Sequence, residues 1–396
     1  MALNDLNLRY VACSLLITTS IYAGEVDGLL SSLKLETLQL KLDKNSNESK
    51  KLEHSWINPV MISYSYSTTD QFNESLTNKS LSISVDQPIF KSGGIWYAIK
   101  YAKATKKVGE LSVELQKRTL IKQVVSTLFN LKKSEYQIKK QKLLIENDKI
   151  DIERKKEQFL GGDLDSSFLD QAILKKNQDI MTLYTLQDTK AKLESSFKNL
   201  SDLNPSSIDL PRFTLIKKDD FIKNSINLVL AKEQVVQKDY FNTMAWARYM
   251  PTLSLQASYI KPYGNEFDSY HSYGFRISMP IDITSYRNIQ STKVDYLKAK
   301  IEFLDKKREA KNEYDAILKR LSVIDKRLKL AIDDEKLYLS LIKNTKEKVK
   351  AGEMTTYDLK TLENSKTMRQ IDQKIFDLDK QLVLLELYEK SYKENR

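Results

Sequence analysis

The segment SISVDQPIFKSGGIWYAIKYAKA, Ser82–Ala104, decides the fold because its pattern changes from that of a strand to that of a helix. Serine alternates with apolar residues up to Pro88, as in a half-buried strand, and the spacing becomes helical after the glycine pair that follows. The segment FRISMPIDITSYRNIQSTKVDYLKAK, Phe275–Lys300, shows the same change around Pro280. The sequence therefore predicts one strand-to-helix junction in each half of the chain.

Proline and glycine positions indicate that this duplication covers most of the chain. Each half has two prolines 29 positions apart and a glycine turn 74 or 72 positions after the second proline. A duplication of this size predicts two structural repeats. The marks are Pro59, Pro88 and Gly161-Gly162 in the first repeat, and Pro251, Pro280 and Gly352 in the second.

Each repeat is predicted to contain a helix, two strands, a long helix, a glycine tip and a last helix. The first repeat, 24–204, has strands at about 58–69 and 79–88, a long helix to about 160, a tip at 161–166 and a helix to about 203. The second repeat, 205–396, opens with a linker at 205–218. It has strands at about 251–262 and 271–283, a long helix to about 351, a tip at 352–355 and a helix to about 395.

Composition and periodicity predict that long helices make up most of the chain. The 396 residues include only 10 glycines and 7 prolines, and 30% of the residues are charged. Apolar residues recur every seven positions, as in a left-handed coiled coil, and each long helix would be about 100 Å long. These residues are Val124, Leu131, Ile138, Ile145, Ile152 and Phe159 in the first repeat, and Tyr314, Leu321, Leu328, Ile342 and Val349 in the second.

The N-terminus predicts a secretory signal peptide, residues 1–23. Arg9 precedes an apolar stretch, Tyr10–Ile21, and Ala23-Gly24 offers a small-residue cleavage site. The alternative interpretation is a buried N-terminal helix. Cys13 is the only cysteine, so cleavage would leave no disulfide and no thiolate metal ligand. No run of 18 apolar residues occurs, and no transmembrane helix is expected.

The four predicted strands each have an apolar, tyrosine-rich face and a serine-rich face. Strands of about 9–11 residues with this alternation are typical of outer-membrane barrels, although a soluble sandwich also has one wet face. Four strands cannot close a barrel, since the smallest membrane barrels have about eight, and open sheet edges are not tolerated in lipid. The barrel interpretation therefore requires further copies of the chain.

Charge and motif content argue against several classes of function. The net charge is +11, but Lys and Arg are interleaved with Asp and Glu along the predicted helices and no recognition motif is present. We therefore expect no nucleic acid as a partner. The two histidines, His54 and His271, are isolated, and no nucleophile elbow, phosphate loop or dinucleotide fingerprint occurs. The sequence predicts no enzyme activity, no cofactor and no metal.

The junctions and tips resemble those of the TolC-type outer-membrane efflux proteins (outer-membrane factors), and the resemblance covers essentially the whole mature chain. It rests on the two quoted segments, on Asn58-Pro59 and Met250-Pro251 before the strands, and on the tips GGDLDSSFLDQA and AGEMTTYDLKTLENS. The implied fold is mainly α with membrane β-strands. Four strands per chain would form a trimeric 12-stranded β-barrel on a long α-helical coiled-coil barrel.

The resemblance also implies a location and a function. The expected protein is a homotrimer in the outer membrane of a Gram-negative cell, surrounded by outer-membrane lipid and extending into the periplasm. It would be the exit duct of a tripartite efflux or type I secretion system, with a periplasmic adaptor and an inner-membrane transporter as partners. Two alternatives stay open: a coiled-coil envelope scaffold, and a passive porin-like channel.

Four residues are candidates for the periplasmic aperture. By the resemblance, Asp358 follows Gly352 by six positions and would form an acidic ring in three copies. Glu353, Thr361 and Asp170 are further candidates, and Thr361 stands where the family often has a second acid. Asp358 with Thr355, and Asp170 with Ser167, also match a helix capping box. A purely structural role for both acids therefore stays open.

The tips and the serine-rich strand faces supply the remaining candidates. Leu164 and Met354 are predicted to be exposed apolar contacts for an adaptor, next to glycines that suit a left-handed turn. Asp86 and Arg276 would face the barrel lumen, where they either tune ion preference or pair with each other. The full sets are Gly161, Gly162, Leu164, Gly352 and Met354 for adaptor docking, and Asp86, Arg276, Ser82 and Ser278 for the lumen.

Overall fold

The computed structural model describes residues 28–71, 74–263 and 268–392. The predicted signal peptide lies outside these residues. The described elements are, in chain order, α1 (Ser32–Glu53), β1 (Met61–Gln71), β2 (Glu74–Phe90), α2 (Gly94–Leu160), α3 (Ser166–Lys198), α4 (Lys218–Lys223), α5 (Ile226–Ala247), β3 (Thr252–Pro262), β4 (Tyr270–Ser278), α6 (Ser285–Lys350) and α7 (Thr356–Lys390).

Several elements differ from the predicted ones. β2 begins at Glu74 and not near residue 79, α3 ends at Lys198 and not near residue 203, and α7 ends at Lys390 and not near residue 395.

Two further differences have a clear cause. The last strand was expected to reach residue 283 but ends at Ser278, because its partner β3 begins only at Thr252, after a proline that has no amide hydrogen to donate. The helix expected before β3 is interrupted and forms α4 and α5. At the interruption Ser225 pairs with Ser391. This long-range pairing is a tertiary contact that local periodicity does not reveal.

The strands form one antiparallel sheet in the order β1-β2-β3-β4. The registers place Ile62 opposite Ile83 and Ile83 opposite Tyr259, whereas Ser63 lies opposite Ser82. Because successive side chains of a strand point to opposite faces, these pairs divide the sheet into an apolar face and a serine-rich face. Within the described chain, β1 and β4 each pair on one side only.

By its contacts the chain divides into two compact units. Unit 1 takes its described residues from 1–37, 116–225 and 310–396, and unit 2 takes them from 38–115 and 226–309. Unit 2 contains the sheet, α5 and α1 from Leu38 onward, together with the N-terminal part of α2 and of α6. Unit 1 contains α3, α4 and α7 with the rest of α2 and α6, and both glycine tips. Each unit thus combines segments from both predicted repeats.

Polar contacts link four helices of unit 1 in series: α3 to α2, α2 to α7, and α7 to α6. Helices α3 and α6 stand at the two ends of this series. Representative contacts join Gln141 Nε2 to Asp179 Oδ1 (2.9 Å), Lys140 Nζ to Asp372 Oδ1 (2.6 Å) and Gln373 Nε2 to Glu335 Oε2 (2.6 Å).

Apolar side chains fill the spaces between these helices. The predicted seven-residue stripe is buried along much of α2 and α6, whereas Phe159, its last member on α2, is exposed next to the tip. Burying one such side chain is worth about 1.5–3 kcal/mol. The buried members are Val124, Leu131 and Ile145 on α2, and Tyr314, Leu321 and Ile342 on α6.

The linker before α4 is fixed to unit 1 by aromatic residues. The rings of Phe221 and Tyr314 lie 5.7 Å apart, and the Tyr314 hydroxyl donates to the Ile216 carbonyl at 2.7 Å. Phe213 packs against Tyr388 with ring centroids 4.9 Å apart. Phe221 itself has no exposed surface.

In unit 2, α1 packs closely against the beginning of α2. Ser49 Oγ donates to the Ala102 carbonyl at 2.9 Å, and Asn45 Nδ2 donates to the Lys106 carbonyl at 3.0 Å. A Cβ atom at Gly109 would lie 2.2 Å from the Asn45 side chain, which explains the isolated glycine in the middle of this helix. Among the described residues, no helix is both long and apolar enough to cross a membrane.

We expect Phe221→Ala to lower the free energy of unfolding by about 3–5 kcal/mol, because it opens a cavity beside Tyr314 in a fully buried site. Urea unfolding followed by circular dichroism measures the change. Phe168→Ala is the matched control, since Phe168 is 49% exposed and should cost much less. Equal costs for the two variants would contradict the packing of α4 against α6.

Candidate functional site

The two helical tips of unit 1 have the same backbone conformation. Gly162 and Gly352 adopt left-handed φ angles of 80° and 77°. In the first tip, Gly162 N donates to Phe159 O and Asp163 N donates to Gln158 O, which is the Schellman pattern that closes a helix. In the second tip, the corresponding acceptors are Val349 O and Lys348 O. Glycine adopts this conformation without strain.

The first tip differs from its predicted capping pattern. Asp165, and not Ser167, is the N-cap of α3, and its Oδ1 accepts a hydrogen bond of 2.8 Å from Ser167 N. The hydrogen bonds from the Ser167 backbone and side chain lower the pKa of the Asp165 carboxyl. Asp170 is exposed on the first turns of α3 and takes no part in this cap. The capping box predicted from Ser167 and Asp170 is therefore wrong, because an acid lies one residue before the helix.

The second tip has the predicted capping box. Thr355 N and Thr355 Oγ1 donate to Asp358 Oδ2 at 3.1 and 2.8 Å, and Asp358 N donates back to Thr355 Oγ1 at 3.4 Å. Arg154 Nη2, near the end of α2, lies 2.9 Å from Asp358 Oδ1. The Thr355 hydroxyl is the main cause that lowers the pKa of the Asp358 carboxyl, and Arg154 adds to it. Asp358 is thus an ionised group that joins the second tip to α2.

The remaining tip candidates lie in different environments. Glu353 is exposed, and Thr361 Oγ1 donates to the Tyr357 carbonyl at 2.9 Å within its own helix. Leu164 and Met354 are half-buried and not fully exposed as expected. Their side chains therefore offer less apolar surface than the sequence suggested.

Exposed apolar residues that the sequence analysis did not select lie beside the first tip. Leu160 is 74% exposed, and Phe159 and Phe168 are also exposed. Leu160 follows the last member of the seven-residue stripe, where the helix ends and its neighbours no longer cover it. The sequence signal that could have identified Leu160 is an apolar residue directly before a glycine turn.

The sheet of unit 2 has one face lined with hydroxyl groups, which we call the serine face. Cross-strand hydroxyl pairs connect Ser63 to Ser82 (2.6 Å) and Ser258 to Ser272 (2.7 Å). The side chains of Met61 and Ile260 also point to the serine face and interrupt the row of hydroxyl groups. The serine face comprises Ser63, Ser65, Ser80, Ser82, Ser84, Asp86, Ser254, Gln256, Ser258, Ser272, Arg276 and Ser278.

Asp86 and Arg276 of the serine face pair with each other. Arg276 Nη1 lies 3.7 Å from Asp86 Oδ2, and Gln256 Nε2 donates to the same oxygen at 2.7 Å. Gly274, opposite Gln256, has open space where a side chain would be. In this part of the serine face, the charges of Asp86 and Arg276 therefore offset each other. The surrounding surface is rich in hydroxyl groups, and there is open space next to Gly274.

The opposite side of the sheet, which we call the apolar face, is exposed to a degree that is unusual for a soluble protein. Tyr273, Phe275 and Ile277 of β4 and Ile62 and Tyr64 of β1 all belong to the exposed large apolar residues. A contiguous apolar surface of this kind marks contact with lipid or protein. The face comprises Ile62, Tyr64, Tyr66, Leu81, Ile83, Val85, Leu253, Leu255, Ala257, Tyr259, Tyr273, Phe275 and Ile277.

A buried acid on α2 is structural. The Asp148 side chain is 5% exposed, and burial raises the pKa of its carboxyl although Lys175 of α3 donates to it. Lys175 also lies 3.4 Å from Asp179, so the two acids share one cation. Among the described residues, no group of three His, Cys, Asp or Glu side chains is placed to hold a metal ion.

Comparisons with solved structures find the same fold over nearly the whole chain. The outer membrane protein VceC from Vibrio cholerae is 12% identical, covers 92% of this chain and 94% of its own, and has a TM-score of 0.73. The CmeC outer membrane channel from Campylobacter jejuni is 16% identical, with coverages of 94% and 87% and a TM-score of 0.73. The MtrE outer membrane channel from Neisseria gonorrhoeae, in its open state, is 12% identical, with coverages of 93% and 87% and a TM-score of 0.72.

A scan against protein-family models and a search of the curated proteins gave no match. The chain has the fold of outer-membrane channel proteins, with long helices and four antiparallel strands. The resemblance to the TolC-type proteins is confirmed as a likeness of fold.

We expect Asp358→Asn to lower the melting temperature at pH 7, because the variant loses the ionised partner of Thr355 and Arg154. A lowered pKa means that the carboxylate stabilises the folded state above its ordinary pKa of 3.8 and that this contribution is lost as the pH falls through the folded value. The difference from wild type should therefore narrow below pH 3.8. Calorimetry at several pH values measures the difference in melting temperature between the variant and the wild type.

Asp170→Asn is the control for this pH series, because it removes an exposed carboxylate that does not cap α3. A difference for Asp358→Asn that stays constant from neutral to acidic pH would show that the charge of Asp358 does not stabilise the tip.

Proposed function

We propose that the protein is the outer-membrane exit duct of a tripartite efflux or type I secretion system in a Gram-negative cell. It extends into the periplasm and passes substrates from a periplasmic adaptor and an inner-membrane transporter to the exterior. The observation that carries the proposal is the sheet of unit 2, with one apolar, tyrosine-rich exposed face and one serine face. Outer-membrane barrels have this division between lipid and lumen. The shared fold with outer-membrane channels supports it.

The free edges of the sheet support assembly of several copies, and the resemblance to the TolC-type proteins implies that the number is three. Within the described chain, β1 and β4 each have one unpaired edge, and lipid supplies no hydrogen bonds to such edges. Because a chain has an even number of strands in an antiparallel meander, β4 of one copy meets β1 of the next in antiparallel orientation. Three copies give twelve strands. These strands can close into a barrel that has no free edge, and no strand from another protein is needed.

Exposed apolar stripes on α3 and α6 support the same assembly in unit 1. Met181 on α3 is 65% exposed and Leu337 on α6 is 58% exposed. Met181 lies two residues from Asp179, and Leu337 lies two residues from Glu335. Asp179 and Glu335 belong to the polar contacts that cross the four helices, so Met181 and Leu337 lie at similar levels along the helices. A neighbouring copy that packs α6 against α3 buries both stripes. The stripes comprise Leu174, Met181 and Tyr184 on α3 and Leu330, Leu337 and Leu341 on α6.

The tips are the proposed periplasmic end of the duct. Asp358, with Glu353, Thr361 and Asp170 as further candidates, forms the proposed aperture, and the glycine tips with Leu164 and Met354 form the proposed adaptor contact. The exposed Leu160 extends that contact. In the barrel, Ser82, Ser278 and the Asp86–Arg276 pair line the proposed lumen, where the pair leaves little net charge.

Single-channel recording in planar bilayers tests the proposal. We expect a small, cation-preferring conductance from the wild type, which increases or loses its selectivity in Asp358→Ala because an acidic ring at a narrow aperture attracts cations. Thr355→Ala is the matched control: like Asp358→Ala it removes the hydrogen bond between Thr355 Oγ1 and Asp358 Oδ2, but it keeps the carboxylate and should keep the cation preference.

The other outcomes distinguish the alternatives. A large, unselective conductance that Asp358→Ala leaves unchanged would indicate a passive porin-like channel. Protein that stays soluble without detergent and forms no channels would indicate a coiled-coil scaffold and contradict the proposal.

We also expect Met181→Asp to shift the detergent-solubilised protein from trimer toward monomer, because it places a charge in the proposed contact between α3 and α6. Light scattering coupled to size-exclusion chromatography measures the mass. Met181→Leu, which keeps the apolar surface, should remain trimeric. A trimer of unchanged stability in Met181→Asp would place the contact between copies elsewhere.

A further inference from the structure

Two lysines lie on the apolar face of the sheet, near its hairpin end. Lys79 of β2 pairs with Tyr66 of β1, and Lys261 of β3 pairs with Leu81 of β2. Both lysines are exposed and share the face of Tyr66 and Leu81, because paired residues of neighbouring strands point to the same side. They are diagonal neighbours across β2 and β3, which places them about 7–8 Å apart at the backbone.

Three tyrosines surround these lysines. Lys79 Nζ lies 5.5 Å from the ring centre of Tyr66, and Lys261 Nζ lies 5.6 Å from that of Tyr263. The rings of Tyr64 and Tyr263 are 6.2 Å apart. All three tyrosines are exposed, so an external partner can reach their hydroxyl groups. The Tyr66 hydroxyl accepts a hydrogen bond of 3.4 Å from Thr68 Oγ1 and keeps its own proton to donate. We call Tyr64, Tyr66, Lys79, Lys261 and Tyr263 the tyrosine–lysine cluster.

The charge of the cluster is not compensated by the described part of the chain. Among the described side chains, no carboxylate lies within ion-pair distance of Lys79 or Lys261. The described acid on the same face of β1 is Asp70, four positions beyond Tyr66 toward the hairpin. Two adjacent cations on an otherwise apolar face repel each other, which favours an anion bound between them.

The position of the cluster fits the edge of a bilayer. Lys261 is eight residues along β3 from Leu253, or about 27 Å at 3.4 Å per residue, and a tilt of about 40° reduces the height to about 20 Å. The apolar band of outer-membrane barrels is about 25 Å tall, with aromatic girdles at both limits. Lysine on the lipid face costs much free energy at the middle of the bilayer and little at its interface.

We propose that the tyrosine–lysine cluster binds the phosphate group of an anionic membrane lipid in the leaflet at the hairpin end of the barrel. The lysines supply the positive charge, as lysine commonly does for phosphate, and the tyrosine hydroxyls donate hydrogen bonds while the rings contact the acyl region. This site rests on the proposed function, since it requires the apolar face to contact lipid.

The test titrates a short-chain phosphatidylglycerol, and separately the matched phosphatidylcholine, into the detergent-solubilised protein and counts bound lipid by native mass spectrometry. The wild type should prefer phosphatidylglycerol. The double variant Lys79→Gln/Lys261→Gln should bind it about twenty-five-fold more weakly, since each lysine near a membrane surface strengthens anionic-lipid binding about five-fold.

Two controls separate charge from side-chain shape and position. Lys79→Arg/Lys261→Arg keeps the charge and should keep the preference. Lys298→Gln removes an exposed lysine of α6 and should bind like the wild type. Circular dichroism shows whether each variant is folded. If the glutamine variant is unfolded, the lipid preference of the arginine variant still tests whether positive charge at these two positions is sufficient.

Three results would overturn the proposal. They are unchanged phosphatidylglycerol binding in the glutamine variant, equal binding of the two lipids by the wild type, and competition by millimolar inorganic phosphate as strong as that by the lipid, which would indicate a site for free phosphate. Bilayer recording of the same preparations shows whether a failure of the lipid site is also a failure of the proposed channel function. Variants that conduct but have lost lipid preference support both proposals, and a wild type that never inserts contradicts both.

Discussion

The unpaired edges of the four-stranded sheet are the constraint on which the rest of the structure depends. Each edge presents a row of backbone donors and acceptors, and the adjoining face is apolar, so neither water nor lipid satisfies both requirements. A closed ring of strands satisfies them together. Hydrogen-bond accounting in the sheet therefore requires further copies of the chain, and the exposed stripes of α3 and α6 offer a second contact between them. The number three is what the resemblance to the TolC-type proteins implies.

The helices of unit 1 combine two kinds of contact. Apolar residues at seven-residue spacing fill the interior, and charged residues at the margins of each contact form ion pairs such as Lys133 with Asp379. Ion pairs between partly exposed residues contribute little stability each, about 0–1 kcal/mol, but they require one alignment of the helices. The stability of this unit therefore comes mainly from the apolar core, and its register from the charges.

Asp358 shows how one residue has a structural role and a proposed functional role together. Its carboxylate completes the cap of α7 and pairs with Arg154 of α2, so it is fixed in place before any other copy is present. A carboxylate held in this way stays ionised and well oriented, as a charged ring at an aperture requires, although the pairing with Arg154 offsets part of its charge. Asp170 has neither contact, because Asp165 already caps its helix. The two acids looked equivalent in sequence and are not equivalent in structure.

Sequence alone determined the order of elements, the division of each strand into an apolar and a serine-rich side, and the glycine turns, because these depend on local periodicity and on backbone conformation. It also predicted the capping box of Asp358, which spans only four residues. Tertiary structure decided where β4 ends, why α4 and α5 are separate, and that Asp86 pairs with Arg276, because each depends on a partner distant in sequence. It likewise decided which tip residues are exposed, since burial depends on where neighbouring helices end.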